Sequence, residues 1–322
     1  MTTSIGLIGP GAMGLGITQA LLRGGFRVLV RDINPERNRL AAEAGAIVRE
    51  HPAAIAREAD IVITIVVNAA QTREVCFGSA RAAGAHRNGS ADTSSTAPSD
   101  SIAGASSIAG AMRRGGIVLM CSTIAPDDTA SIAAELATHG IDMIDAPISG
   151  GPVRAAAGNM SMMLAGSAAA LHTCDAMLKA MSDKRFVVSH TPGDGSKMKL
   201  VNNLMAGINS VAAAEAFSLG IKAGLDPKKI YEVVMASSGM SWMAGDRMKR
   251  IIEGDRTVTA AVPILTKDVG LALDLARSLN FPLPAGAVAH QVFLATLALG
   301  HAQEDDNAVI RYYQALTGIT LP

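Results

Sequence analysis

Ile5-Gly-Leu-Ile-Gly-Pro-Gly-Ala-Met-Gly-Leu-Gly16 decides the fold. A short apolar run enters a turn with glycines at 9, 11 and 14, the G-x-G-x-x-G spacing, and Gly16 adds a fourth. Between a strand and a helix, such glycines permit a tight turn, a close backbone approach to a pyrophosphate, and close helix–strand packing. The helix that follows presents unpaired N–H groups to the phosphates. Gly9, Gly11, Ala12, Met13 and Gly14 are therefore the expected phosphate contacts. Arg27 to Val30 reads as the next strand, and Asp32 follows it, about 20 residues beyond the glycines, where a carboxylate bonds the adenosine ribose hydroxyls. A carboxylate there repels a 2′-phosphate, which puts NAD ahead of NADP. Two other readings stay open: Asp32 as a turn residue before Asn34-Pro35, and Arg31 as a guanidinium that swings towards a 2′-phosphate.

Outward from this stretch, short β-branched runs alternate with helical patterns, as in βαβ units around a parallel sheet. Ile61 to Val67 is apolar throughout and reads as a central strand buried on both faces. Ile117 to Met120, Ile141 to Ile144, Met160 to Ala165 and Arg185 to Val188 read as further strands. Residues 79–110 are Ser-, Ala- and Gly-rich without a hydrophobic period and read as a surface insertion. From Ser196 to Ala223 apolar residues recur without a proline, one helix of about 40 Å at roughly 1.5 Å per residue. Helices are expected near 228–237, 241–253, 264–279, 284–299 and 304–316. The expected architecture is an α/β Rossmann domain over residues 1–192 and an all-α domain over 193–322, joined by the long helix.

Hydrophobic residues make up 49% of the 322-residue chain and charged ones 17%, which excludes global disorder. Formal net charge is zero, so no basic field draws in nucleic acid or an anionic membrane. The longest apolar run is too short to span a bilayer, and no basic, apolar leader opens the chain. These features are expected of a cytoplasmic protein. Cys76, Cys121 and Cys174 are widely spaced, without a C-x-x-C pair, and read as small buried residues rather than as disulfides or zinc ligands. No metal site is expected. None of Tyr231, Tyr312 and Tyr313 has a lysine four residues on, so a Tyr-x-x-x-Lys proton relay is absent.

The proton-transfer residue must lie elsewhere, and the long helix offers Lys199 with Asn203 at i and i+4 on one face. Lys197 points roughly the opposite way. A lysine at the seam of the two halves can be partly desolvated, which lowers its pKa towards working pH. It could then take an alcohol proton while hydride leaves for a nicotinamide. By themselves, a lysine and an asparagine so spaced equally suit a solvated helix face.

Four segments taken together resemble the 3-hydroxyisobutyrate (β-hydroxyacid) dehydrogenase family: Gly6 to Gly14, Asp145-Ala-Pro-Ile-Ser-Gly-Gly151, Gly193-Asp-Gly-Ser-Lys-Met-Lys-Leu-Val-Asn-Asn203, and Lys267-Asp-Val-Gly-Leu-Ala272. The resemblance implies that Lys199 is catalytic with Asn203 as its partner. It implies that Ser149, Gly150 and Gly151 hold the substrate carboxylate, an anion cradle of hydroxyl and backbone N–H groups. It further implies that Thr123 and Lys267 contact the cofactor, and Val67 and Asn68 end a strand lining the same crevice. For Lys267 a simple pair with Asp268 is the alternative. Val66 to Gln71, Ser241-Trp-Met243, Phe281 to Pro284 and Glu304 to Val309 resemble the branch acting on small polyhydroxy acids such as L-threonate. Trp242 is expected in the core. 3-Hydroxyisobutyrate dehydrogenation, tartronate-semialdehyde reduction, and a non-catalytic nucleotide-binding relative are the alternatives. A homodimer or homotetramer is expected, formed through the helical half.

Overall fold

The computed structural model describes residues 4–78 and 107–321. Two compact units divide the chain, Met1–Lys199 and Leu200–Pro322.

Among the described residues, the first unit is a nine-stranded sheet flanked by helices. Its strands are β1 (Ser4–Ile8), β2 (Arg27–Arg31), β3 (Ile47–Val48), β4 (Ile61–Thr64), β5 (Ile117–Met120), β6 (Asp142–Asp145), β7 (Ile148–Ser149), β8 (Ser161–Ala165) and β9 (Lys184–Ser189). The helices are α1 (Ala12–Arg23), α2 (Pro35–Glu43), α3 (Pro52–Glu58), α4 (Ala69–Phe77), α5 (Ile108–Ala111), α6 (Pro126–Thr138), α7 (Gly151–Ala157) and α8 (Ala168–Met181). Strand order is β3-β2-β1-β4-β5-β6-β8-β7, and β9 pairs with β8. Strands β3 to β6 along this path are parallel; β8 runs antiparallel to β6 and β7 and parallel to β9. The chain leaves β1 towards β2 and β3, then returns to β4 on the other side. That reversal is the switch point where open α/β sheets bind ligands, at the carboxyl ends of the strands.

Successive side chains of a strand face opposite ways, and the two faces of this sheet bury separate cores. Ile5, Leu7, Ile61, Ile63, Ile117 and Leu119 pack with Ile17 and Leu21 of α1 and with Cys174, Met177 and Met181 of α8. Ile8, Leu29, Val62, Val118 and Met120 pack with Ile55 of α3, Phe77 of α4 and Ile132 and Leu136 of α6. All three cysteines are buried, and burial pushes the thiols of Cys76 and Cys174 up to about 12.

The central strand ends at Thr64 rather than Val67. Most of the segment expected as an insertion, 79–106, lies outside the described residues. Its end does not fit that expectation: α5 starts at Ile108, is capped by Ser107 and buries Ile108 in the core, a role hidden by the Ser/Ala/Gly-rich composition.

Helix α9 (Asp194–Lys222) carries the chain into the second unit. The division falls at Lys199/Leu200, inside this helix, because its first turn is hydrogen-bonded to β6. It is long and apolar enough to cross a membrane by length and composition. Here Val211, Ala214 and Phe217 are buried in the core of the second unit. That unit adds α10 (Pro227–Met235), a π-helical turn (Ala244–Met248), α11 (Lys249–Ile252), α12 (Val262–Ser278), α13 (Pro284–Ala298), a 3-10 turn (Asp306–Ala308) and α14 (Val309–Thr317). The single helix expected over 241–253 is thus broken by the π turn, where Arg247 is buried against Asp305 and Asp306.

Candidate active site

The loop after β1 is shaped by its glycines. Gly9 has φ +93°, a region closed to most side chains, and a Cβ there would lie 2.3 Å from the carbonyl oxygen of Ile65. A Cβ on Gly14 would lie 2.3 Å from the carbonyl oxygen of Gly9, so the helix start packs directly on the turn. Gly11 differs. It is the N-cap of α1, supplies no side-chain cap, and among the described residues a Cβ on it would meet nothing within 4 Å. The first N–H groups of a helix lack partners within it, so α1 presents its donors beside a glycine that no described atom crowds. Ala12 is exposed and Met13 half-buried beside it. A dinucleotide pyrophosphate fits this cradle. Gly16 serves another contact: its Cβ would lie 2.7 Å from the Ala156 backbone nitrogen, so α1 packs tightly on α7.

The neighbouring strand ends are tied to this loop. The Gly9 N–H donates to Arg31 O at 2.9 Å, and the Ile65 N–H donates to Ile8 O at 2.9 Å. Asp32 follows β2; its Oδ1 accepts the Asn34 N–H at 2.8 Å, so the turn reading holds for that oxygen. The Arg31 guanidinium folds back onto the Asp32 carbonyl. Val67 is exposed after β4, and Asn68 caps α4, its Oδ1 accepting the Gln71 N–H at 2.9 Å. Thr123 is half-buried after β5. Next to it, buried Ser122 accepts the Val66 N–H at 3.0 Å and joins the β4 and β5 loops, a role the sequence reading did not assign.

Ser149 ends β7, and Gly150 (φ +130°) and Gly151 (φ +76°) lead into α7. A Cβ on Gly151 would meet nothing within 4 Å, so its backbone faces open space. Asp145, earlier in the same segment, is fully buried. Its Oδ2 accepts the N–H groups of Gly193 and Ser196 at 2.9 and 2.7 Å, and its Oδ1 accepts the Ser196 hydroxyl at 2.9 Å. Burial pushes its pKa up to about 6, against the pull of these bonds. Lys199, one turn on from Ser196, is only 7% exposed, whereas the Lys197 side chain is 56% exposed and pairs with Asp194 at 2.8 Å.

In the second unit Asn203 is buried and donates to Asp268 Oδ2 at 2.6 Å, while Lys267 pairs with Asp268 Oδ1 at 2.6 Å. The Lys267–Asp268 pair therefore exists, but Asp268 is buried, unlike a surface pair. Asp268 thus joins two residues that the sequence reading had kept apart. Asn202 donates to Asn203 Oδ1 at 2.9 Å. Trp242 is not a core residue: it is 48% exposed, its ring 5.6 Å from the Arg247 guanidinium, which holds its polar neighbours at the π turn.

The family described as the NAD binding domain of 6-phosphogluconate dehydrogenase matches residues 4–105 and 93–189. The family described as NAD-binding of NADP-dependent 3-hydroxyisobutyrate dehydrogenase matches residues 193–313. These two family matches, on a Rossmann sheet and the helical unit after it, place the chain among nicotinamide-dependent hydroxyacid dehydrogenases. Along its whole length the chain is similar to L-threonate dehydrogenases. It is 40% identical to that of Cupriavidus necator (100% of this chain, 99% of the relative) and 35% identical to that of Escherichia coli K12 (99% and 96%). A crystal structure of 3-hydroxyisobutyrate dehydrogenase from Salmonella typhimurium is 35% identical with a TM-score of 0.83, covering 96% of this chain and 99% of that one. The chain belongs to the 3-hydroxyisobutyrate dehydrogenase family.

Proposed function

We propose that the chain oxidises a small polyhydroxy acid, L-threonate first among them, to a keto acid, with NAD as the hydride acceptor and Lys199 as the proton acceptor. The observation that carries this reading is a lysine only 7% exposed at the start of a long helix, in a chain 40% identical to an L-threonate dehydrogenase. A nicotinamide held by these residues would supply a hydride acceptor for the carbinol carbon. The Lys199 amine takes the hydroxyl proton as the carbonyl forms and returns it in the reverse reaction. Ser149 and the backbone N–H groups of Gly150 and Gly151 hold the carboxylate, and Asn203, steadied by Asp268, orients the hydroxyl. Gly9, Gly11, Ala12, Met13 and Gly14 hold the pyrophosphate and Asp32 the ribose. Val67, Asn68, Thr123 and Lys267 complete the cofactor contacts. Asp32 favours NAD over NADP, because a fixed carboxylate repels a 2′-phosphate.

In this reading, residues 1–192 are the dinucleotide-binding domain, with Ser149 to Gly151 added for the substrate, and 193–322 are the helical substrate domain that forms a homodimer or homotetramer. Exposed Met198, Val201, Met205 and Leu219 on α9 support that association. Free, buried cysteines suit a cytoplasmic site of action. The rival substrate is 3-hydroxyisobutyrate, since relatives of equal identity carry the two names.

The test is NADH formation from L-threonate, 3-hydroxyisobutyrate and other hydroxyacids. L-Threonate is expected to give the highest kcat/KM, and NAD to exceed NADP. Lys199→Ala is expected to lower kcat by about 10²- to 10⁴-fold, the range of general acid–base catalysis. Full kcat in that variant removes the assignment. No turnover of any acid by folded protein turns the chain into a binding module.

A further inference from the structure

Asp145 is a buried carboxylate at the end of β6, 48 residues ahead of its first partner in the sequence. It acts on the N-terminus of α9, where the first backbone N–H groups have no partner within the helix. Two of them, Gly193 and Ser196, share its Oδ2, and the Ser196 hydroxyl takes its Oδ1. The Ser196 hydroxyl also lies 2.9 Å from that of Thr129 on α6, so the helix start is tied to two elements of the sheet unit. Glycine makes the approach possible: Gly193 has φ +106°, and a Cβ on Gly195 would lie 2.8 Å from both Asp145 O and Met163 O. A negative carboxylate also complements the positive end of the helix dipole.

Ser196 and Lys199 are three residues apart and share a helix face. Whatever fixes Ser196 in depth and rotation also fixes where the Lys199 side chain leaves the helix. We propose that Asp145 is a positioning residue for Lys199: its carboxylate locks the first turn of α9 and thereby sets the lysine against the reacting alcohol. This rests on the reading of Lys199 as the proton-transfer residue. The chemistry demands such a lock, because a misplacement of about 1 Å can cost roughly 10²-fold in rate. Asp145 acts through the helix start, where its bonds go to Gly193 and Ser196.

Asparagine and alanine test the idea differently. In Asp145→Asn the amide oxygen can accept both N–H groups and the amide nitrogen can donate to Ser196, which then donates to Thr129. In Asp145→Ala the two N–H groups and the hydroxyl lose their shared acceptor, a cost borne by the helix start.

The experiment measures kcat, KM for the hydroxyacid and, by fluorescence, Kd for NADH. It compares the wild type with Lys199→Ala, Asp145→Ala, Asp145→Asn and Ser196→Ala. Asp145→Ala is expected to lower kcat about 100-fold while Kd for NADH moves less than about threefold, and Asp145→Asn to restore kcat to within about tenfold of wild type. Normal kcat in Asp145→Ala, with Lys199→Ala impaired, overturns the positioning role and leaves the lysine assignment standing. Normal kcat in Lys199→Ala removes the lysine assignment and this inference with it. Equal losses of kcat and NADH binding in both Asp145 variants reduce the residue to a structural one. Should Asp145→Ala not fold, Ser196→Ala decides: a kcat loss of about three- to tenfold at unchanged NADH affinity supports the lock, and unchanged kcat overturns it.

Discussion

Two helices of the first unit begin in opposite ways. Helix α1 starts at Gly11, which offers no side chain, and a Cβ there would point into open space. Helix α9 starts at Gly193-Asp194, and its leading N–H groups are consumed by the carboxylate of Asp145. Both ends carry the same unpaired donors and the same positive end of the dipole. What differs is whether the chain supplies its own anion. The open end is left to an external anion, while the closed end becomes a fixed point from which Lys199 projects.

Closing the open end is the strongest way to break this contrast. Gly11→Asp places a carboxylate where the pyrophosphate is to bind, and the absence of any atom within 4 Å of its Cβ leaves room for the new side chain. Like charges set against each other cost several kcal/mol, so Kd for NADH is expected to rise on the order of a thousandfold. Melting temperature should hold or rise, since an N-terminal cap stabilises a helix. Unchanged NADH affinity in this variant would mean that the α1 terminus is not the phosphate site.

The closed end has a cost visible in its pH dependence. Folded Asp145 holds its proton up to about pH 6, against 3.8 as its ordinary value. The proton is bound more tightly in the native state, so this group's contribution to stability is complete below about pH 4 and is lost as pH rises through 6. Relative to Asp145→Asn, the wild type is expected to lose about 3 kcal/mol across that window. Asp194 is the neighbouring charge that adds to the shift. Asp306, also pushed up to about 6, is present in both proteins and cancels in the difference. Urea unfolding of both proteins at pH 4, 5, 6 and 7 measures it. A difference flat with pH would show that the carboxylate is not held against its own desolvation.

Much of this contrast was legible in the chain, though not evenly. The open end was readable because glycine at 9, 11 and 14 is a local signal: Gly9 takes a positive φ, and neither Gly9 nor Gly14 leaves space for a Cβ beside the turn's backbone. Helical spacing put Lys199 and Asn203 on one face, but it suited a solvated face as well, and only the family resemblance singled them out. Asp145 stood in a quoted segment, but its partners lie 48 and 51 residues on, and only the sheet brings them together. Asp268 was visible as a neighbour of Lys267, whereas its bond to Asn203 spans 65 residues. β3 and β7, two residues each, are too short to show a period. Trp242 was misplaced because an apolar ring does not reveal that it stands just ahead of the π turn, against the Arg247 guanidinium.

Gly16 ties α1, the helix with the open end, to α7. A Cβ at 2.7 Å from the Ala156 nitrogen meets backbone, which cannot swing away, so α1 and α7 must separate. Gly16→Ala is expected to cost about 1–3 kcal/mol, as overpacking does, and to raise KM for the hydroxyacid by shifting the Ser149–Gly151 turn that leads into α7. Calorimetry with a KM series checks both, and an unchanged melting temperature would mean that the helices part freely.

The smallest expected effect makes the sharpest distinction. Lys197 and Lys199 occupy the same turn with the same chemistry. One side chain is 56% exposed with an i,i+3 partner in Asp194; the other is buried. An exposed pair of this kind contributes between about 0 and 1 kcal/mol, so Lys197→Ala should change stability by less than about 0.5 kcal/mol and leave kcat unaltered. Set beside Lys199→Ala, this isolates the helix face from the charge. Both variants remove one lysine side chain from the same turn, so a role that needs only a lysine near a nicotinamide would weaken both in proportion. Only a role fixed by direction, set by the locked start of α9, leaves the first intact and disables the second.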